Sequence, residues 1–207
     1  MTTLLSLLCA ENWWWDSGEE SYIKFHEDGT GELVARCELC LFIASHFNWK
    51  AHDPASLSNE IDSATSWLST WRPSDIGQID IEMTLTTRRV QMGNMDMKRW
   101  KINEDILTED AFLPRRLTLR LQKGRFMTPT DARYVHRISY YLTFHYRLSC
   151  SPSPFPGQDM WKDAGGAPES LRFWEWKEFE SHERSVQWQM GLGGKIFNTC
   201  KRAINLD

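Results

Sequence analysis

The run LVARCELCLFIASHFNW, residues 33–49, decides the fold class because apolar and polar side chains alternate along it. Every second residue from Leu33 to Trp49 is apolar apart from Ser45, while the positions between them include most of the charged side chains. A period of two is typical of a β-strand with one buried face. With no Gly, Pro, Asn or Asp before Asn48, the run predicts one long bent strand, or two strands joined without a change of register. Long bent strands suit a closed barrel better than a flat sheet.

The same alternation recurs in later segments, at residues 79–86, 116–121 and 138–148. A last run, LRFWEWKEF at 171–179, has aromatic rings at both parities, and we expect a strand that is covered on both faces. Residues 13–15 and 22–25 bring the number of strands to seven or eight. The sequence therefore predicts an all-β fold, a single antiparallel barrel of about eight strands over residues 1–207, with residues 4–10 as a short N-terminal helix or cap.

Charge and composition exclude several classes of function. Lys and Arg total 24 against 28 Asp and Glu, so the basic excess of a nucleic-acid-binding protein is missing. No segment approaches the roughly 20 apolar residues of a membrane span, and residues 4–10 are too short for a signal peptide. Neither a glycine loop for phosphates nor a cluster of metal ligands is recognisable. We expect a cytoplasmic protein that needs no cofactor or metal; the sequence leaves its oligomeric state open.

The five cysteines are scattered, as in a protein with reduced thiols. Cys37 and Cys40 form a C-x-x-C motif within the extended run, where residues three apart point to opposite faces. A zinc or redox role would require a turn at this position, and the sequence does not predict one.

If the apolar faces point inward, they line a barrel interior rich in aromatic rings. An eight-stranded barrel has room for one small ligand or is filled by its own side chains, and both alternatives remain open. The inward positions are those of a hydrophobic ligand-binding wall: Phe47, Trp49, Met83, Tyr140, Phe144 and Tyr146, with Trp13 or Trp15 at the closed end and the indoles of Trp174 and Trp176 on the last strand.

A few polar side chains are candidates for catalysis. Tyr140 and Tyr146 share one face of a strand but are separated by roughly 20 Å, so each would act alone, by hydrogen-bonding a carbonyl or donating a proton. His46 has the titration range of an acid/base group and lies on the opposite face of its strand, where segment 55–71 could cover it. Purely structural roles are the alternative for all three. Glu175 should face outward; if the parity of its strand is reversed, it becomes the best general base.

The N-terminal segment resembles a known family. Trp13–Trp15 are followed by the pattern F-x-x-D-G-T-G, from Phe25 to Gly31, which is similar to lipocalin-like proteins of the calycin superfamily. The pattern departs from that family where Glu11 or Asn12 replaces the glycine two places before the tryptophan, and it covers about 40 of the 207 residues. With the RFWEW segment, the chain also looks like fungal proteins that include cyclases of natural-product pathways. The resemblance implies an internal site for small hydrophobic molecules and, in some relatives, cofactor-free cyclisation or isomerisation.

These observations favour a barrel that encloses a hydrophobic small molecule and orients it for cyclisation or isomerisation without a cofactor. Two alternatives belong to other classes of function. One is a non-catalytic carrier or sensor that uses the same pocket. The other is a protein-interaction module that presents the aromatic segment 171–179 to a partner.

Overall fold

The computed structural model describes residues 2–61, 73–134 and 140–188, and the side chains of all of these except Tyr134, Tyr140 and residues 182–188. Eight antiparallel strands close into one barrel in chain order, after a short N-terminal helix. The predicted fold class is therefore confirmed. The strands are β1 (Trp13–Trp14), β2 (Tyr22–Phe25), β3 (Thr30–Cys37), β4 (Cys40–Ala51), β5 (Ser74–Arg89), β6 (Arg115–Phe126), β7 (Tyr140–Ser151) and β8 (Glu178–Trp188). The helices are α1 (Leu4–Ala10), α2 (Pro129–Tyr134) and α3 (Ala167–Leu171).

The alternating run 33–49 folds as two strands joined by a tight turn. Cys37 faces Cys40 across a turn formed by Glu38 and Leu39, and Leu39 is 84% exposed. A bulge opposite Ala35 also changes the parity, so that Leu41 packs in a cluster outside the barrel while Ile43 packs inside it. The expectation of an unbroken parity is therefore wrong between Cys37 and Ile43, because the turn at Glu38 and Leu39 and the bulge at Phe42 each shift the pattern.

The predicted strand over residues 171–179 is also wrong for most of its length. The chain forms α3, a left-handed residue at Arg172 and a 3₁₀ turn at Phe173–Glu175, and β8 begins only at Glu178. A helical turn places residues three apart on one side, so Phe173 and Trp176 are both buried. Glu175 is 47% exposed and pairs with Arg172, which agrees with its expected outward position.

Helix α1 covers one end of the barrel, which we call the helix end. Its side chains Leu4, Leu7 and Leu8 are buried, and Leu4 lies over Gly77 at the start of β5. The indole Nε1 of Trp13 donates a hydrogen bond to the Leu8 carbonyl at 2.9 Å. The first tryptophan of the WWW run therefore satisfies its N–H on the helix while its ring fills the bottom of the barrel.

The opposite end, which we call the loop end, is closed by the β5–β6 connection (90–114) and the β7–β8 connection (152–177). The two connections meet in an isolated bridge between Leu107 and Trp161. They contribute buried side chains to the main core, namely Leu107, Ala111, Phe155, Trp161, Phe173 and Trp176. Both ends of the barrel are therefore covered by the chain itself.

The D-G-T-G motif forms the turn between β2 and β3. An Asp28 carboxylate oxygen accepts hydrogen bonds from the amide N–H and the hydroxyl of Thr30, at 2.9 and 2.6 Å. Gly29 has a φ of 82°, a left-handed conformation that favours glycine. Gly31 lies directly beneath the ring of Phe47. Each residue of the motif thus has a local structural reason.

Residues 90–102 cover part of the outer wall and build a second apolar cluster, composed of Tyr22, Val34, Leu41, Ala44, Val90, Met97 and Ile102. The next residue, Asn103, is fully buried and acts as a substitute strand partner for Ala44. Its Oδ1 accepts from the Ala44 amide and its Nδ2 donates to the Ala44 carbonyl, both at 2.9 Å.

We expect Asn103→Ala to lower the free energy of unfolding by about 2 kcal/mol, because it leaves the buried Ala44 amide without an acceptor and places an alanine at a left-handed φ of 51°. The Ala44 carbonyl keeps a second donor, the Val90 amide, which limits the loss. Chemical denaturation provides the measurement. Gln91→Ala is the matched control, since that amide also donates two hydrogen bonds but from an exposed position. Equal losses in the two variants would contradict the role given to Asn103.

No helix among the described residues has the length and apolar content needed to cross a membrane.

Candidate functional site

Four of the eight predicted ligand-binding residues are inward-facing strand residues of the main core. Trp13, Phe47, Trp49 and Met83 are buried in the main core. The Phe25 ring is T-shaped to both Phe47 and Trp49, with centroid distances of 5.4 and 5.5 Å. Aromatic side chains thus occupy much of the interior near the helix end.

The remaining predicted ligand-binding residues lie elsewhere. Trp15 and Trp176 stack at a centroid distance of 3.4 Å, and Trp176 belongs to the β7–β8 connection. Trp174, in the same connection, is half-buried against the core. Phe144 is buried on β7 opposite Phe126. The structure therefore brings Trp15 and Trp176 together at the loop end.

Two of the three predicted catalytic residues, Tyr146 and His46, do not converge. Tyr146 is half-buried and packs against the main core. His46 has the parity of Ala44, which packs outside the barrel, so His46 and Tyr146 lie on opposite sides of the wall. The side chain of Tyr140 lies outside the described part of the chain. One substrate inside the barrel could therefore meet Tyr146 but not His46.

Arg115 is the functional candidate that sequence reasoning missed. It begins β6 in phase with the buried Leu117 and Leu119, and it faces Met83 on β5. Its Nη1 and Nη2 donate to the carbonyls of Phe155 and Pro154, at 2.9 and 2.7 Å. Its in-phase position with the leucines is a sequence signal that could have identified it.

The electrostatic environment of Arg115 is unusual. The buried Nε has no hydrogen-bond partner, and among the described residues no carboxylate pairs with the guanidinium. Burial lowers the pKa of Arg115 to about 10, with no anion acting in the other direction. A half-buried cation whose partners among the described residues are neutral carbonyls is costly, because part of its hydration is lost without an opposite charge in return.

A second unsatisfied group faces the interior on β8. Ser181 pairs in register with Tyr146 and is fully buried, and its Oγ has no partner in the described part of the chain. Tyr146 pairs on its other side with Lys123, eight residues along β6 from Arg115, or roughly 26 Å of extended strand. Arg115 and Ser181 therefore cannot hold one functional group together.

A buried carboxyl group, that of Glu180, contacts the half-buried guanidinium of Arg147 on the outer side of the same wall. Arg147 Nε donates to Glu180 Oε1 at 2.8 Å, and Arg147 Nη1 lies 3.0 Å from Glu178 Oε2. Arg147 Nη2 also donates to the Met127 carbonyl, just before α2. Burial raises the pKa of Glu180 to about 8, while the positive charge of Arg147 acts in the opposite direction. Because Glu180 alternates with the inward Phe179 and Ser181, it is not placed to act on an interior ligand.

Two shallow grooves cross the outer wall. The larger, of about 310 Å³, is lined by His52, Asp80, Arg116, Leu117, Thr118 and Ser151, and the smaller, of about 200 Å³, by Asn48, Trp49, Lys50, Glu82 and Thr84. Their acidic groups are already paired, Asp80 with the Thr118 hydroxyl and Glu82 with Lys50. Across residues 2–61, 73–133 and 141–181, no three His, Cys, Asp or Glu side chains come together as metal ligands.

Comparisons of the chain with protein-family models, curated proteins and solved structures found no match in any of the three. The likeness to lipocalin-like proteins therefore rests on the N-terminal motif alone.

Proposed function

We propose that the barrel binds a small, mainly apolar molecule that carries a carboxylate, with Arg115 as its anchor. The observation that supports this proposal is a half-buried guanidinium that has a buried, unpartnered Nε and no anionic partner among the described residues. A carboxylate would neutralise the charge and supply an acceptor for Nε, and Arg–carboxylate hydrogen bonds are among the strongest in proteins. The apolar remainder of the ligand would pack on side chains such as Met83 and Leu117.

Entry of this ligand requires the β7–β8 connection to move. The carbonyls of Pro154 and Phe155 accept the hydrogen bonds of the Arg115 guanidinium. The rings of Phe155 and Trp176 form a T-shaped pair in the adjacent core, with their centroids 5.5 Å apart. In the proposed cycle, the ligand carboxylate replaces the two carbonyls and its apolar part replaces one or more rings. Long connections of this kind commonly serve as lids over binding sites.

We extend the proposal to cofactor-independent cyclisation or isomerisation of an elongated ligand, whose reacting carbonyl would lie far from its carboxylate because Tyr146 is roughly 26 Å along the strands from Arg115. Tyr146 and the Ser181 Oγ, which has no partner in the described part of the chain, lie side by side on the inner face, and one hydroxyl donor in a desolvated site can polarise a reacting carbonyl. If the protein is a catalyst, it should form product from a bound substrate, and Tyr146→Phe should slow product formation without weakening substrate binding. Binding without turnover of any candidate substrate would favour the carrier or sensor instead.

Arg115 should set a preference for acids over alcohols of the same chain length. We expect quenching of tryptophan fluorescence to show dodecanoate binding at least about tenfold more tightly than dodecanol, and Arg115→Met to abolish that difference. The indoles of Trp15 and Trp176 at the loop end provide the signal. Circular dichroism and thermal unfolding would establish that the variant is folded, and Arg115→Lys, which keeps the charge, should retain part of the preference.

Arg116→Met is the matched control, because this neighbouring guanidinium is exposed on the outer face. It should bind dodecanoate as the wild-type chain does. Equal affinity of the wild-type chain for acid and alcohol, or an equal loss in the Arg115 and Arg116 variants, would overturn the assignment of Arg115. Absence of binding by both probes would overturn the proposal for this class of ligand.

A further inference from the structure

The C-x-x-C motif lies at the tip of the β3–β4 hairpin. Cys37 and Cys40 are direct partners across the two-residue turn, so their side chains leave the same face of the hairpin. Directly opposed residues of antiparallel strands have Cα atoms about 4.5–5.5 Å apart, within the range of about 4.4–6.8 Å that a disulfide spans. The sequence-based expectation that these thiols point to opposite faces is wrong, because the run turns between them.

The two thiols are free and differ in accessibility. Cys40 is exposed and Cys37 is half-buried, whereas Cys150 is buried in the core and Cys9 is half-buried on α1. Partial burial raises the pKa of the Cys37 thiol, and the negative charges of Glu38, Glu20 and Asp16 and the neighbouring Cys40 act in the same direction. Because a thiolate is the attacking species, the exposed Cys40 is the better first nucleophile.

The hairpin tip is also held in place from outside. The Ser21 hydroxyl donates to the Arg36 carbonyl and accepts from the Arg36 amide, at 2.9 and 3.1 Å. The Arg36 Nε donates to the Glu38 carbonyl at 3.0 Å. These bonds fix the residue before Cys37 and the turn after it, so the two thiols are kept opposite each other.

From this geometry we propose that Cys37 and Cys40 are a dithiol modification site that closes to a disulfide on reaction with small-molecule disulfides such as oxidised glutathione. The Cys40 thiolate attacks the glutathione disulfide, forming a mixed disulfide and releasing one glutathione thiolate. The Cys37 thiolate then attacks the Cys40 sulfur and releases the second. The protein loses two hydrogens as protons and two electrons, and one glutathione disulfide becomes two thiols. This proposal is independent of the proposed ligand.

Mass spectrometry of tryptic peptides tests the proposal directly. Cleavage after Arg36 and Lys50 gives a peptide, 37–50, that contains both cysteines and no other. After incubation of the folded chain with oxidised glutathione, we expect this peptide to be lighter by two hydrogen atoms, and dithiothreitol to restore it. Its closed form should exceed the glutathione adduct on Cys9 by at least about tenfold.

Cys37→Ser is the matched control, because it removes the resolving thiol and should leave a stable glutathione adduct on Cys40. Cys40→Ser should slow the first step at this peptide. Three results would overturn the proposal: glutathione adducts on the wild-type peptide without closure, disulfide-linked dimers in its place, or closure that occurs only after unfolding in urea.

Discussion

As the pH rises from about 4.5 to about 8, the wild-type chain is expected to lose roughly 5 kcal/mol of unfolding free energy through Glu180. The Glu180→Gln variant should not show this loss. Burial raises the pKa of this carboxyl in the folded chain, and the charges of Glu178 and Asp131 add to the shift while Arg147 opposes it. Between the two values, the folded chain keeps a proton that the unfolded chain has released. The free energy of unfolding therefore falls as the pH rises, and the contribution is complete only below the unfolded value.

Urea unfolding of the wild-type chain and Glu180→Gln across this pH range provides the measurement. The difference in unfolding free energy between the two proteins should change with pH. Taking this difference cancels the contribution of every other titrating group. Glu178→Gln is the matched control, because its carboxylate contacts the same guanidinium from a half-exposed position. It should alter the pH dependence far less. A difference between wild type and Glu180→Gln that stays constant with pH would contradict the assignment.

Gly31→Ala is expected to lower the free energy of unfolding by at least about 3 kcal/mol, because there is no space for a methyl group. A Cβ at this position would lie 2.5 Å from the Lys24 carbonyl oxygen and would overlap the Phe47 ring. The carbonyl belongs to the neighbouring strand, and the ring is fully buried against Phe25, so neither can move without disturbing the barrel. The midpoint of urea unfolding should fall accordingly.

Gly93→Ala separates crowding from backbone strain. Gly93 has a φ of 52°, but a Cβ there would meet nothing within 4 Å. Its replacement should cost only the strain of a left-handed alanine, about 1 kcal/mol. If Gly31→Ala proved no more harmful than Gly93→Ala, the close approach of Phe47 to the backbone would not be what requires glycine.

The strands could be predicted from the sequence where one face is buried and the other is exposed to solvent, as at 79–86 and 116–121. The β3–β4 turn could not, because Glu38 and Leu39 are poor turn residues and Glu38 adopts a left-handed conformation, with a φ of 52°. The segment 171–177 was equally difficult. Aromatic rings at both parities fit a doubly covered strand, and they fit a 3₁₀ turn equally well, so the pattern alone does not distinguish them.

The residues of the candidate site could also be predicted only in part. Alternation alone places Phe47, Trp49 and Met83 inside the barrel, because an alternating strand must bury one face. It does not show which rings fill the space, since Phe155 and Trp176 reach the core from a distant connection. Glu180 resembles any outward carboxylate in the sequence. Its burial comes from tertiary packing that involves Arg147, Met127 and α2, and no local pattern reports that packing.

The junction between β1 and β8 has a mechanical consequence for the barrel. In the described part of the chain, these strands pair only through Trp14 and Glu180, whereas the β7–β8 and β5–β6 pairs extend over most of their strands. Because few backbone hydrogen bonds hold β1 to β8, this junction should open more readily than the other strand pairs. Amide protons of residues 13–15 should therefore exchange with deuterated solvent sooner than those of β6. If the barrel expands to admit a ligand, the expansion should begin at the β1–β8 junction.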